Sequence, residues 1–459
     1  MPVPATTSPR QPDQQKKRRE KKHGKMKVLI STMAFAGHVN PMQPLCRELV
    51  RRGHQVVWLT GDEFEAKATI AGASFRAASR DSVTYDITNA VPSYGADGAH
   101  AGEGASLASA TAVLRRLLLD RVPAQVHDYQ EALADFPADI VLVDLAAYGA
   151  HCLRELTGIP YATLGINPLV TPDPEIPPWG FGKQPPATFL GRWANKFVHA
   201  AAAVLLYPKL SKILNEKRAA VALPPLSSST AFLDAARSDM LHIMPTTPAF
   251  EFPRRNLPPS VKFVGPLLPI WEDENGITPD WWGELVARPK SSVVHITQGT
   301  VTADTSKLIK PALLALSAHP ELLIIVTNPG SPNDEITDMP PNARGASFVP
   351  HSRLLPHVGV MVTNAGYNGV LAALSYGVPL VCAGRTEDKA DVSSRVAWCG
   401  AGIDLATDTP AVEAIEKAVL CILRESKFRD AAARVAKDFA SHDGPREAAE
   451  QLEKVVKHL

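Results

Sequence analysis

GVMVTNAGYNGVLAALSYGVPLVCAGRTEDK, residues 359–389, decides how the rest of the chain is read. An apolar strand from Val358 to Thr363 runs into the turn Asn364-Ala365-Gly366-Tyr367-Asn368-Gly369, and a helix to about Tyr376 follows. Gly377-Val378-Pro379 then turns the chain into a second apolar strand, Leu380 to Ala383. Small residues at a strand-to-helix turn leave backbone N–H groups uncovered where the helix dipole is positive, which suits a diphosphate. Shortly after the next strand, Glu387-Asp388-Lys389 falls at a strand's carboxyl end, where α/β sheets bind ligands. An anion cradle followed by hydroxyl-binding side chains is what a nucleotide-sugar site requires. The plainer alternative is an ordinary glycine-bearing βα loop.

The same alternation extends in both directions. Upstream, strands are expected at Ser292–Thr297, Leu322–Thr327 and Gly345–Val349. Near the amino end, Lys27-Val28-Leu29-Ile30-Ser31-Thr32 reads as a buried parallel strand, Gly37-His38-Val39-Asn40-Pro41 as a turn, and Met42 to Arg52 as a helix closed by Gly53. Gln55 to Thr60 completes a βαβ unit. A long helix around Ala105–Leu119 and on to Phe136, then strands at Ile140–Val143 and Tyr161–Leu164, continue the series. The pattern predicts an α/β protein of two doubly wound halves. Residues 26–250 and 291–459 form the halves, with 251–290 as a proline-rich linker and 1–25 as a disordered basic tail. The stretch 167–193 holds seven prolines with Trp179, Phe181, Phe189 and Trp193, and a loop of that length inside a domain is usually functional.

Composition narrows the classes. With 459 residues, 45% hydrophobic and 21% charged, the chain has the profile of a soluble globular protein with room for two cores. The tail carries 8 Lys/Arg against 2 Asp/Glu, which leaves the remainder at −5 and argues against a nucleic-acid binder. The tail is a solvated leader, a localisation-like cluster or a basic patch for anionic lipid. Five scattered cysteines without a C-x-x-C pair predict reduced thiols in a cytoplasmic protein and no zinc site. No apolar run reaches the length of a membrane span, the longest being His199 to Tyr207, and no hydrophobic signal region opens the chain.

The 359–389 segment resembles the donor-binding signature of the UDP-dependent glycosyltransferases, an inverting family with two Rossmann-like domains facing a cleft, the GT-B architecture. Members commonly read W-x-P-Q, H-x-G-x-N-S, G-V-P and D-Q. Here the frame reads Phe348-Val349-Pro350-His351, Asn364-Ala365-Gly366-Tyr367-Asn368-Gly369, Gly377-Val378-Pro379 and Asp388-Lys389. Phe348 replaces the tryptophan that stacks on the nucleobase, His351 a glutamine beside it, Asn364 a phosphate-contacting histidine, and Lys389 a sugar-contacting glutamine. These variants resemble a microbial branch of the family. The resemblance runs from Lys27 to the carboxyl terminus and implies that the last helix packs back across the interdomain seam.

Sugar transfer to a hydroxyl needs a proton acceptor, an exposed anomeric carbon and a stabilised leaving diphosphate. A histidine of ordinary pKa suits the first task. His38 follows the first strand; alone, a loop histidine is an ordinary structural residue, but its A-G-H-V-N-P setting resembles the family's catalytic loop. Asp144 ends the strand D-I-V-L-V-D, and strand ends of one parallel sheet converge, so it can hold the second nitrogen of His38. Its alternative is a helix N-cap. Asp139 begins that strand and falls at the opposite edge. The donor side is assigned Gly37, Gly299, Thr300, Phe348, Val349, His351, Asn364, Gly366, Asn368, Gly369, Asp388 and Lys389; the acceptor side Trp179, Phe181 and Phe189.

The resemblance implies transfer of a hexose, glucose from UDP-glucose first, to a hydroxyl of an apolar acceptor such as a phenolic, flavonoid, steroid or polyketide. The UDP-sugar is co-substrate; no cofactor or metal is expected, and the nucleotide could equally be TDP. Two rivals are a non-catalytic nucleotide-sugar-binding activator, which would need neither His38 nor Asp144, and a nucleotide-sugar epimerase. An NAD-dependent dehydrogenase is disfavoured, because the first βα turn lacks G-x-G-x-x-G.

Overall fold

The computed structural model describes residues 24–84, 107–270, 278–299, 304–328 and 339–458. Two all-parallel sheets organise them. The first takes β1 (Lys27–Ser31), β2 (Gln55–Thr60), β3 (Ser74–Ala77), β4 (Ile140–Asp144), β5 (Tyr161–Leu164), β6 (His242–Met244) and β7 (Val261–Phe263), in the order β3-β2-β1-β4-β5-β6-β7. The second takes β8 (Val293–Thr297), β9 (Leu323–Thr327), β10 (Ala343–Ala346), β11 (Val360–Thr363), β12 (Leu380–Cys382) and β13 (Gly402–Asp404), in the order β10-β9-β8-β11-β12-β13. Both orders reverse direction beside their first strand, which opens a crevice at the carboxyl edge of each sheet.

Helices cover both faces of each sheet, so the strands read as continuous apolar runs. In the second sheet Val293, Leu323, Ile325 and Met361 enter one core, while Val294, Ile296, Ile324 and Val362 enter the other. The first sheet divides the same way, with Val28, Ile30, Trp58 and Leu142 on one side and Leu29, Leu59, Val141 and Val143 on the other.

Four features differ from the sequence expectation. Strand β7 falls inside 251–290, so the stretch expected as linker supplies the edge of the first sheet. Strand β10 ends at Ala346, which leaves Phe348 and Val349 in the connection beyond it. The helix after β1, α1 (Ala36–Arg51), begins six residues before the expected Met42 despite Pro41 and Pro44 inside it. A proline has no N–H to give the carbonyl four residues back. Pro41 therefore leaves the Gly37 carbonyl without a helical donor, at the edge facing the other half. The helix expected to run from 105 to 136 is interrupted: Leu107–Leu114 and Val122–Asp135 flank a wider turn at Arg115–Leu119.

Four further helices matter below: α2 (Phe189–Leu205), α3 (Tyr207–Ala219), α4 (Tyr367–Ser375) and α5 (Lys389–Trp398). The last, α6 (Gly444–Lys457), returns to the first half, where Ala448, Ala449 and Leu452 join Val28, Leu45 and Leu49 in one core. The crossing chains pass closely at Gly265 (φ +81°), where a Cβ would come within 2.5 Å of the His442 Cβ. A buried polar knot fixes this return. The Met26 N–H donates to His54 Nδ1 at 3.1 Å, so His54 Nε2–H donates to Glu453 at 3.0 Å, and Arg52 reaches the same oxygen at 3.2 Å.

Removing one member of a buried ionic knot strands the others. Glu453→Ala is expected to cost about 3 kcal/mol and to lower the thermal unfolding midpoint by several degrees, whereas Glu453→Gln, which keeps an acceptor for His54, falls less. Calorimetry of the two variants checks this ordering.

Candidate active site

Strand register brings the first pair of residues together. Ser31 of β1 lies beside Val143 of β4, so Asp144 stands next to the chain leaving β1. Asp144 is fully buried and both of its oxygens accept hydrogen bonds. Oδ2 accepts from the Met33 N–H at 2.7 Å and faces His38 Nδ1 at 3.0 Å; Oδ1 accepts from the Ala146 N–H at 2.8 Å. An ionised carboxylate only accepts, so Nδ1 carries the proton and Nε2, on the opposite edge of the ring, presents a lone pair. His38 lies in the first turn of α1, not in a loop as the sequence suggested, and it lines the cleft. Asp139 sits at the other end of β4, accepting from the Lys27 N–H at 2.6 Å.

The cleft is a cavity of about 530 Å³ between the halves. On its second-half wall the strand ends form a polar row: Thr297 pairs with both Thr327 and Thr363, and Gln298, Asn328 and Asn364 follow in sequence. Asn364 donates to the Gln298 carbonyl through Nδ2, while its buried Oδ1 has no hydrogen-bond partner among the described residues. Ala365 holds φ +63°, a strained angle for a residue with a Cβ, and turns the chain so that α4 starts at Tyr367 with its amino end at the cleft. The first-turn N–H groups of a helix have no intrahelical acceptor, so this end suits an anion. Gly366, Asn368 and Gly369 line the cavity there, and Gly299 (φ +74°) lies beside Asn364 on the same wall. Thr300 lies outside the described residues.

Asn368 also closes the seam. Its Nδ2 donates at 2.9 Å to the Gly37 carbonyl, the one that Pro41 leaves without a helical donor. Gly37 therefore belongs to the first half and meets the donor loop through its backbone. Phe348, 45% exposed, and Val349 line the same wall. His351 opens a short helix; burial lowers its pKa to about 4, so its ring is neutral, tilted against His295 at 5.9 Å. Asp388 and Lys389 both line the cavity. Burial raises Asp388 to about 7, and the Lys389 ammonium is held by the Thr386 hydroxyl at 2.9 Å and the Glu387 carboxylate at 2.6 Å.

The first-half wall is apolar, with Leu117, Leu145, Tyr148, Ile166, Trp179 and Phe181 among its lining residues. Phe189 does not join them. It begins α2, 67% exposed against Trp193, while the cleft face of that helix is made by His199, Ala202 and Leu206. Helical spacing of 100° per residue turns Phe189 about 80–140° away from them.

Sequence reasoning missed the pair of residues that ties the aromatic loop to the other half. Asp391 of α5 accepts from the Gly180 N–H and, at 3.1 Å, from the Gly182 N–H, so it holds the backbone on both sides of Phe181. One turn on, Arg395 bonds Glu251 at 2.9 Å and stacks its guanidinium on Phe252 at 4.2 Å. Burial pushes the Glu251 carboxyl up, but Arg395, Arg254 and the Leu169 N–H outweigh it and hold it below the usual range. A signal existed for the polar row: three strands of this half end in a β-branched residue, Thr, then Asn or Gln (Ile296-Thr297-Gln298, Val326-Thr327-Asn328, Val362-Thr363-Asn364). No such signal marked Asp391. Among the described residues no group of three His, Cys, Asp or Glu gathers as a metal site.

Known proteins share this frame. The profile of the erythromycin biosynthesis protein CIII-like C-terminal domain matches residues 312–455. The 4'-demethylrebeccamycin synthase of Lentzea aerocolonigenes is 38% identical over 432 residues, covering 94% of this chain and 99% of that protein. UDP-glycosyltransferase 2 of Phaeomoniella chlamydospora is 30% identical, covering 94% and 95%. The crystal structure of CalG4, the calicheamicin glycosyltransferase, superposes with a TM-score of 0.68 at 21% identity, covering 95% of this chain and 99% of that one, which shows the shared two-domain GT-B fold.

The hydrogen bonds at Asp144 fix the form of His38. ¹⁵N NMR of histidine-labelled protein above neutral pH is expected to show the His38 proton on Nδ1. The same tautomer is expected in Asp144→Asn, because the new amide oxygen is favoured at the Oδ2 position, where it meets two donors rather than one. An Nε2–H tautomer in the wild-type protein would contradict the geometry.

Proposed function

This chain belongs to the UDP-glycosyltransferase family, and within it we propose an inverting enzyme that moves a hexose, glucose from UDP-glucose first, onto a hydroxyl of an apolar polycyclic or phenolic natural product. The observation that carries this reading is the His38–Asp144 pair opening onto the same cavity as the amino end of α4. In this reading Nε2 of His38 takes the proton of the acceptor hydroxyl, and Asp144 stabilises the imidazolium that forms. The acceptor oxygen then bonds to the anomeric carbon from the side opposite the diphosphate, and the anomeric C–O bond breaks. The leaving diphosphate rests on the N–H groups at Tyr367 to Gly369 and on the Asn364 amide; fixed dipoles of this kind stabilise developing charge without reorganising.

Phe348 offers its exposed face to the nucleobase, and Asp388 and Lys389 meet the sugar hydroxyls. The apolar first-half wall, with Trp179 and Phe181 held by Asp391, supports an apolar acceptor, in keeping with a relative named for rebeccamycin synthesis. UDP-glucose and TDP-glucose, each offered with a panel of phenolic, flavonoid, steroid and polyketide acceptors, test the proposal by mass spectrometry. Glycosylated product from at least one pair is expected; release of free sugar alone, or no turnover with any pair, would contradict it.

In a productive pair, His38→Ala is expected to lower kcat by roughly 10²–10⁴-fold with donor affinity little changed, because the base acts on the acceptor. Asp144→Asn keeps the imidazole and loses the charge behind it, so a smaller loss is expected. Steady-state kinetics with isothermal titration of the nucleotide separates these effects; a His38→Ala enzyme within a few-fold of wild type would sink the assignment.

A further inference from the structure

Among the described residues, the outer face of α2 gathers more exposed large apolar side chains than any other element. Leu190, Trp193, Phe197, Val204 and Leu205 project from it, between 54% and 80% exposed, and Phe189 adds a sixth apolar side chain. Helical spacing gathers them on one stripe. With α3 the segment runs Phe189–Ala219, long and apolar enough to cross a bilayer by length and composition only. It is nevertheless built into the fold. His199 donates its Nε2–H to the Ile176 carbonyl at 2.8 Å, Ala202 and Leu206 line the cleft, and Leu210 and Leu214 of α3 are buried in a core with Leu119 and Phe232. A helix anchored on one side and bare on the other fits the plane of an interface, not a span.

Charge identifies what covers it. From Ile176 to Asn215 the sequence contains Lys183, Arg192, Lys196, Lys209 and Lys212 and no Asp or Glu. All five cations are exposed, and none forms an ion pair among the described residues. Arg192 and Lys196 lie along one edge of the apolar stripe, with the Lys196 ammonium 5.7 Å from the centre of the Trp193 ring. A second copy of this chain seated on this face about a two-fold axis would bring like charges together with no carboxylate of the segment to pair them. An anionic lipid surface matches both properties: the acyl boundary takes the aromatic stripe and the headgroups take the adjacent cations.

We propose that the exposed face of α2 docks this enzyme peripherally on anionic lipid bilayers. The helix then stands between the bilayer and the cleft, with Ala202 and Leu206 lining the acceptor wall from its inner side. The basic tail, with 8 Lys/Arg in residues 1–25, supplies a second weak attraction of the kind that stable peripheral binding needs.

Flotation of the full chain with phosphatidylcholine vesicles, with and without an equal share of phosphatidylglycerol, tests the proposal. Binding to the anionic vesicles alone is expected, weakening as salt is raised. Trp193→Ser/Phe197→Ser and Arg192→Glu/Lys196→Glu should each reduce it by about tenfold or more, with melting midpoints held because these side chains are exposed. Equal partition to neutral vesicles, or none to either, would overturn the proposal. So would binding that survives both helix variants and is abolished by Lys16, Lys17, Arg18, Arg19, Lys21 and Lys22→Gln, which would assign it to the tail. A dimer in sedimentation velocity that Phe197→Ser dissociates, without vesicle binding, would assign the face to a second copy.

Discussion

A single buried carboxylate sets the geometry of this cleft. Asp144 has no exposed surface and accepts from two backbone N–H groups and one imidazole. Burying such a group is tolerable only when it is hydrogen-bonded, as both of its oxygens are. The parallel pairing of β1 with β4 puts the donors in place, since Met33 leaves one strand where Asp144 ends the other. Moving β4 by one residue would turn Asp144 to the opposite face of the sheet. The position of His38 and the direction of its free nitrogen follow from that register.

The two halves are joined by groups that the local structure leaves unsatisfied or that pair ionically. Pro41 takes a helical donor from the Gly37 carbonyl, and Asn368, from the loop that frames the anion site, supplies one. Asp391 captures the amides around Phe181 from the helix that begins at Lys389, and Arg395 binds Glu251 behind it. Each contact links a cavity-lining segment of one half to a cavity-lining segment of the other. A shift of one half relative to the other must therefore break hydrogen bonds beside the reacting groups, which gives the seam a direct hold on the site's geometry.

Much of this was legible in the chain. Alternating apolar runs and small-residue turns marked β1, β2, β4 and β5 of the first sheet and β8 to β12 of the second because parallel strands are buried on both faces, and the strand-end positions of Asp144 and Asn364 followed from the same pattern; the short β3, β6 and β13 carried no such mark. What was not legible depended on long-range packing. Phe189 is aromatic like Trp179 and Phe181, and only the helix capped by Thr188 turns it outward. Asp391 and Arg395 look like any polar helix face until the loop at Gly180 is laid on them. Pro41 argued for a turn, and the helix formed around it because its missing bond is made from the other half. The linker assignment missed β7, a three-residue strand too short to show a period.

The central claim is that His38, backed by Asp144, activates an acceptor hydroxyl for one direct displacement at the anomeric carbon. The measurement that tests it most directly is the anomeric configuration of the product formed from an α-linked UDP-sugar, read from its proton coupling by NMR. A β-glycoside is the expected product, since one displacement inverts the carbon. An α-glycoside would show retention and contradict the account.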